Sequence, residues 1–176
     1  MKPVAEMSQA ELAAYVQTHL QKRGIKLVLT GGAVVAIYSH DQYVSLDIDL
    51  INMYSAKRRE IHAAMVELSF TQQGRHYRHS DSQYIVDFIP GPLTIGAEPV
   101  AETEQMQFET GQLILLTPTD CVKDRLSAYY HWQDRQCLSQ AILITKTKQI
   151  DLSEIERWSK AEGKLDEFNE IKSKFI

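Results

Sequence analysis

The chain has 176 residues, of which 44% are hydrophobic and 24% charged, and its formal net charge is −4. These values fit a globular chain of one domain's length and exclude a disordered, collagen-like or low-complexity one. The acidic balance speaks against broad binding of duplex DNA, although one local basic patch can act within it.

No apolar run approaches the roughly 18–20 residues of a membrane span. Lys2-Pro3-Val4-Ala5-Glu6 has no apolar stretch behind its basic residue, unlike a secretory signal. A cytoplasmic protein with no membrane partner is expected. Cys121 and Cys137 are too few for a disulfide scaffold or a cysteine zinc site. They are expected to be reduced thiols packed as small hydrophobes.

The first predicted element is a helix. Ser8-Gln9-Ala10-Glu11 has capping-box spacing, Leu12, Tyr15, Val16 and Leu20 recur at helical intervals, and Gly24 is a natural stop. Residues 25–30 read as a short strand that breaks at Gly31-Gly32, and residues 33–38 as a short buried helix. Residues 45–51 alternate at period two and predict a strand whose Leu46, Ile48 and Leu50 are buried. A helix over about 56–70 carries Ile61, Ala64, Met65 and Leu68 as its apolar stripe. Two strands follow, near 71–78 and 83–89, joined by a turn at Ser80-Asp81-Ser82 and closed by Pro90-Gly91-Pro92. Residues 93–116 predict further short strands around Thr110-Gly111. After Thr117-Pro118 the chain reads as helices, through His131, over about 134–145, from Asp151, and over 163–174. The expected organisation is a mixed α/β core, residues 1–116, with a helical part, residues 117–176, packed on it as one compact unit.

The informative acids are Asp47, Asp49 and Asp87. Asp47 and Asp49 stand two apart on a strand, so both carboxylates leave one face, about 7 Å apart. Folding gains nothing from that repulsion on a covered sheet, whereas on a solvated edge strand it is harmless. Asp87 lies among bulky apolar residues, Tyr84 to Ile89, where a lone charge needs a partner or the end of the sheet. If its strand lies beside that of Asp47, three carboxylates converge, a set suited to divalent metal ions and phosphoryl or nucleotidyl transfer. Gly31-Gly32, directly after Thr30, ends a strand and opens a helix. It serves either as a plain tight turn or as a cradle whose amides meet phosphate oxygens. It is neither a Walker loop nor a dinucleotide fingerprint.

The combination of strand, Gly31-Gly32, short helix, Asp47-Ile48-Asp49 strand and a later strand Asp87 resembles the nucleotidyltransferase superfamily of polymerase-β-type fold. The resemblance covers roughly residues 25–90. It implies an α+β fold, a nucleotidyltransferase-like mixed sheet with flanking helices and a helical C-terminal half. It implies Mg²⁺ (or Mn²⁺) on Asp47, Asp49 and Asp87, a nucleoside triphosphate held by Thr30, Gly31, Gly32 and Ser45, and Asp87 helping to activate an acceptor hydroxyl. Residues 117–128 and Asp134-Arg135 look like the helical half of bacterial abortive-infection-type nucleotidyltransferases of toxin–antitoxin systems. That likeness makes Lys123 and Arg125 candidates for a basic group facing the nucleotide. The implied reaction moves a nucleoside monophosphate to a hydroxyl on RNA, a protein or a small molecule. The alternatives are a non-catalytic nucleotide- or protein-binding module and a toxin.

Other features leave two readings each. Arg75, His76, Arg78 and His79 form either a solvated basic strand or contacts to acceptor phosphates. Lys57-Arg58-Arg59 sits at a helix start, the unfavourable end for positive charge. It is either an exposed face or a phosphate-binding ridge. Tyr129, Tyr130 and Trp132 are either core residues or an aromatic stack for a base.

Overall fold

Ser8 caps the first helix as its spacing requires: its hydroxyl accepts from the Glu11 amide while the Glu11 carboxylate accepts from the Ser8 amide. The computed structural model describes residues 2–54 and 56–176. After a short 3-10 turn (Val4–Glu6) come α1 (Gln9–Gln21), β1 (Leu27–Thr30), α2 (Gly31–Tyr38), β2 (Asp47–Asn52) and α3 (Arg58–Glu67). Next are β3 (Thr71–Gln73), β4 (His76–Arg78), β5 (Ile85–Pro90), β6 (Thr94–Ile95), β7 (Glu98–Pro99), β8 (Thr103–Phe108) and β9 (Gly111–Leu116). The remainder is helical: α4 (Pro118–Trp132), α5 (Arg135–Thr145), α6 (Leu152–Ala161), α7 (Leu165–Ile171) and a closing 3-10 turn (Lys172–Phe175).

Seven strands form one mixed sheet in the order β3-β4-β5-β2-β1-β9-β8, while β6 and β7 make a separate small hairpin. β2 runs parallel to β5 and antiparallel to β1, and β1 runs parallel to β9. The class is α+β, as expected. Four-residue β1 is buried throughout, which accounts for its unbroken apolar run Leu27-Val28-Leu29. Main-chain pairing between β1 and β9 is confined to Leu29 and Leu115. Side chains of α1 complete the rest of that seam. The Gln17 carboxamide donates to the Ile114 carbonyl (2.9 Å) and accepts from the Ile114 amide (2.8 Å), and Thr18 Oγ1 accepts from the Gln112 amide (2.9 Å). These contacts satisfy strand groups that would otherwise be buried without partners.

Two expectations need correction. Leu46 is 46% exposed, whereas Ile48 and Leu50 are fully buried. The Ser45 hydroxyl accepts from the Asp47 amide, a local turn that holds Leu46 outside the strand and starts β2 at Asp47. The stretch 71–78 is a hairpin rather than one strand. Gly74, at φ +64°, reverses the chain between β3 and β4. The predicted stripe of α3 holds, since Ile61, Ala64, Met65 and Leu68 are buried.

In the C-terminal part Thr117, Asp134 and Asp151 each cap a helix with a side-chain oxygen. α4 packs against α2, β9 and the β6–β7 hairpin, α5 against α4 and α2, and α6 against α4. Trp158 is fully buried and stacks on Tyr130, with ring centroids 6.0 Å apart and planes at 23°. Tyr130 is therefore a core residue, and Trp132, 82% exposed, points away from it into solvent. Cys121 and Cys137 are buried, free thiols. No helix among the described residues is long and apolar enough to cross a membrane.

Candidate active site

The three aspartates share one face of the sheet because of strand register. Asp49 is paired with Asp87 across the parallel strands β2 and β5 and with Thr30 across β1. Directly paired residues on neighbouring strands leave the same face of the sheet, and Asp47, two positions earlier, shares it. The alternate residues Ile48, Leu50 and Val86 turn to the opposite face and join the core. Apolar burial on one side thus holds the charge cluster on the other.

Asp49 is the most constrained member. Burial first, then the charges of Asp47 and Asp87, push its pKa from an ordinary 3.8 up to about 6. Arg125 opposes that rise and Asp124 adds to it, which places both α4 residues within electrostatic reach of Asp49. The Asp87 carboxylate is 15% exposed, with Arg75 Nε at 3.4 Å and His76 Nδ1 at 3.5 Å from its Oδ2.

The diglycine turn closes against this cluster. Gly31 has φ +72°, and a Cβ on it would stand 2.6 Å from Asp49 Oδ2. A Cβ on Gly32 would stand 3.2 Å from Ser45 Oγ and from the Tyr43 ring. Glycine is thus required at 31 both by backbone conformation and by the approach of a carboxylate. The start of α2 lies beside Asp49 and Ser45, with amides available to an anion. Ser45 is fixed in turn by its bond to the Asp47 amide (3.2 Å), and Gln9 Nε2 donates to the Ser45 and Asp47 carbonyls (2.9 and 3.0 Å).

The two basic candidates separate. Arg125 bonds Asp124 Oδ2 through Nε (3.1 Å) and one terminal nitrogen (2.6 Å), and Gln140 through the other (3.3 Å). It remains near Asp49. Lys123 does not come to the aspartates. Its Nζ lies between Asp120 (2.8 Å) and Glu154 (3.2 Å), in a separate concavity that also holds Glu98 and Arg157. Lys123 is 7% exposed. Replacing it by Met should leave Asp120 without its cation, while Glu154 keeps Arg157, and should lower stability by about 1–3 kcal/mol, read from the urea midpoint. Nucleotide affinity per folded molecule should be retained.

Asp124, Tyr43 and Arg75 complete the neighbourhood, and sequence alone does not mark them as members of it. Asp124 carries a signal, being an acid beside the candidate base Arg125. Tyr43 carries none, because only the tertiary fold brings it over Gly32. Among the described residues no group of three His, Cys, Asp or Glu side chains is close enough to enclose a metal ion. The donor set itself fits a hard divalent cation: Asp47 and Asp49 on one face, with Asp87 opposite Asp49. Magnesium binds through one or two carboxylates and fills its other positions with water and phosphate oxygens. The repulsion recorded in the raised Asp49 pKa is what such a cation would relieve.

No protein-family model matches the sequence, and no curated protein matches it. Solved structures do match. The solution structure of the antibiotic-resistance factor ANT(2'')-Ia is 14% identical, with a TM-score of 0.54 over 84% of this chain and 86% of that one. A crystal structure of ANT(2'')-Ia in complex with adenylyl-2''-tobramycin is also 14% identical, with a TM-score of 0.57 over 89% and 97%. An antigenic nucleotidyltransferase-like protein from Paracoccidioides brasiliensis, again 14% identical, has a TM-score of 0.60 over 95% and 92%. The chain therefore has a nucleotidyltransferase-like fold.

Proposed function

We propose that the protein transfers a nucleoside monophosphate from a nucleoside triphosphate to a hydroxyl acceptor and releases pyrophosphate. One observation carries the reading: Asp49 and Asp87 stand in register on one sheet face, with Asp47 alongside and the Gly31 turn against Asp49. The shared fold with ANT(2'')-Ia supports it.

Mg²⁺ or Mn²⁺, held by Asp47 and Asp49 with Asp87 near, would lend Lewis acidity to the transferring phosphoryl group. The chain's own groups do the rest. Gly31 and Gly32 leave the backbone open to phosphate oxygens at the start of α2, behind Thr30. Ser45 fixes the turn that aims Asp47. Asp87 accepts the proton of the acceptor hydroxyl as its oxygen bonds the α-phosphorus and the bond to the β-phosphate oxygen breaks. Arg125, oriented by Asp124 and Gln140, offsets the charge that grows on the leaving oxygens.

The test is labelling from α-phosphate-labelled nucleotide with Mg²⁺, coupled to pyrophosphate release. Asp47→Asn should reduce both at least about a hundredfold, with the circular dichroism spectrum unchanged. Full labelling by that variant defeats the assignment. Nucleotide binding by the wild-type chain without pyrophosphate release, across a panel of hydroxyl acceptors, would identify a non-catalytic module instead.

A further inference from the structure

Helix α4 passes the aspartates and continues beyond them. α2 and α4 run in opposite directions. Tyr38, the last residue of α2, donates to the Leu116 carbonyl just before α4 begins (2.6 Å). Gly31, the first residue of α2, stands instead against Asp49, which Arg125 reaches from the middle of α4. From Arg125 the helix runs on for seven residues and ends at Trp132. Seven residues fall about 20° short of two full turns, so Trp132 leaves α4 on nearly the same line as Arg125, about 10.5 Å further along the axis.

The two side chains on that line differ in their surroundings. Arg125 is packed between Asp124 and Gln140, whereas Trp132 is 82% exposed. Tryptophan is highly buried on average, and Trp158 is fully buried. Among the described residues no other ring or cation stacks on Trp132. Its backbone is nonetheless fixed. Gln133, at φ +51°, stops α4, and the Asp134 carboxylate caps α5 by accepting from the Gln136 and Cys137 amides (2.9 and 3.3 Å). Arg125 also ties α4 to α5 through Gln140 (3.3 Å). A flat apolar face is thus held in water by a braced corner, on the line that leads away from Arg125.

We infer that Trp132 is the base platform of the nucleotide site: its indole stacks on the nucleobase of a nucleoside triphosphate whose phosphates lie between the Gly31 turn and Arg125. This platform rests on the transfer reading above and serves the one part of the nucleotide which that reading leaves without a partner. The step from Arg125 to Trp132 matches the reach of an extended nucleoside triphosphate from its terminal phosphates to its base. Stacking on an aromatic face adds affinity and tolerates any of the bases, because every base has a π-face. The base is assigned to Trp132 rather than the acceptor because the line starts at Arg125, which faces the phosphates, and not at Arg75 and His76, which flank Asp87.

The two tryptophans make this measurable, since Trp132 is open to an added quencher and Trp158 is not. The full chain with Mg²⁺ is titrated with ATP, GTP, CTP, UTP and inorganic tripolyphosphate, followed by acrylamide quenching of fluorescence and by calorimetry. At least one nucleotide should shield Trp132, and tripolyphosphate should not. Trp132→Ala, at an exposed position, should weaken that nucleotide about tenfold or more, and Trp132→Phe should weaken it less. Both variants should leave tripolyphosphate affinity unchanged. Nucleotide bound without shielding, or bound equally well by Trp132→Ala, would overturn the inference. So would equal losses of nucleotide and tripolyphosphate affinity, the mark of a merely structural role. Binding of none of the four nucleotides would overturn it together with the transfer reading. Nucleotide binding that depends on Trp132, without pyrophosphate release on any hydroxyl acceptor, would sink the transfer reading alone.

Discussion

Asp49→Asn should make the metal-free protein more stable at neutral pH while abolishing nucleotidyl transfer. The folded-state pKa of Asp49 is raised to about 6 from 3.8, by burial and then by Asp47 and Asp87. Between those two values the folded chain binds more protons than the unfolded one, so its stability falls as pH rises through that window. Above about pH 6 the full penalty is present, and below 3.8 it is gone. A rise of that size corresponds to about 2–3 kcal/mol, or about 4–12 °C in melting temperature for a chain of this length. The variant should therefore melt higher than wild type at pH 7.5, and the difference should close toward pH 4.5. With saturating Mg²⁺ and nucleotide the order should reverse, because ligand binding stabilises only the competent protein. Thermal melts at the two pH values, with and without ligand, decide it. A variant no more stable than wild type at pH 7.5 would show that the acids carry no strain.

Gly31→Ala should damage both the fold and the candidate site with a single methyl group. The residue sits at φ +72°, which costs an L-amino acid about 1–2 kcal/mol. Its new Cβ would also meet Asp49 Oδ2 at 2.6 Å, far inside contact distance. The carboxylate must move, and displacement of a reacting group by about 1 Å can reduce turnover about a hundredfold. The two contributions separate in a double-mutant cycle. Asp49→Ala removes the carboxyl group and leaves a Cβ at an ordinary 3.6 Å. In that background Gly31→Ala should retain only the backbone penalty. Urea midpoints of the four proteins should show coupling of about 1 kcal/mol or more. Additive effects would mean that Asp49 and the turn do not touch.

Much of this architecture is legible locally. The Ser8 capping box, the Thr117-Pro118 helix start and the alternation of Asp47-Ile48-Asp49-Leu50 are short-range signals, and each appears where its chemistry requires. The hairpin at Gly74 is hidden because β3 is exposed at every position, so no buried face imposes a period on Thr71-Gln72-Gln73. The convergence of Asp87 with Asp49 is only conditional in sequence, since the adjacency of β2 and β5 is a tertiary fact. The choice between Lys123 and Arg125 is illegible for a geometric reason. Residues two apart on a helix diverge by about 200°, so only one of them can face the aspartates, and the phase of α4 is set by how it packs on α2 and β9. The Asp120–Lys123–Glu154 cluster took the other face.

The seam between β1 and β9 bears on the order in which the chain assembles. β8 and β9 can pair early, being joined by a tight turn, but seating them in the sheet depends on Gln17 and Thr18, 97 and 94 positions away from their partners. Closing so long a loop before its contacts form is entropically slow. Productive collapse thus waits on the N-terminal helix finding a strand made much later in synthesis, and until then the inner edge of β9 is open to other chains.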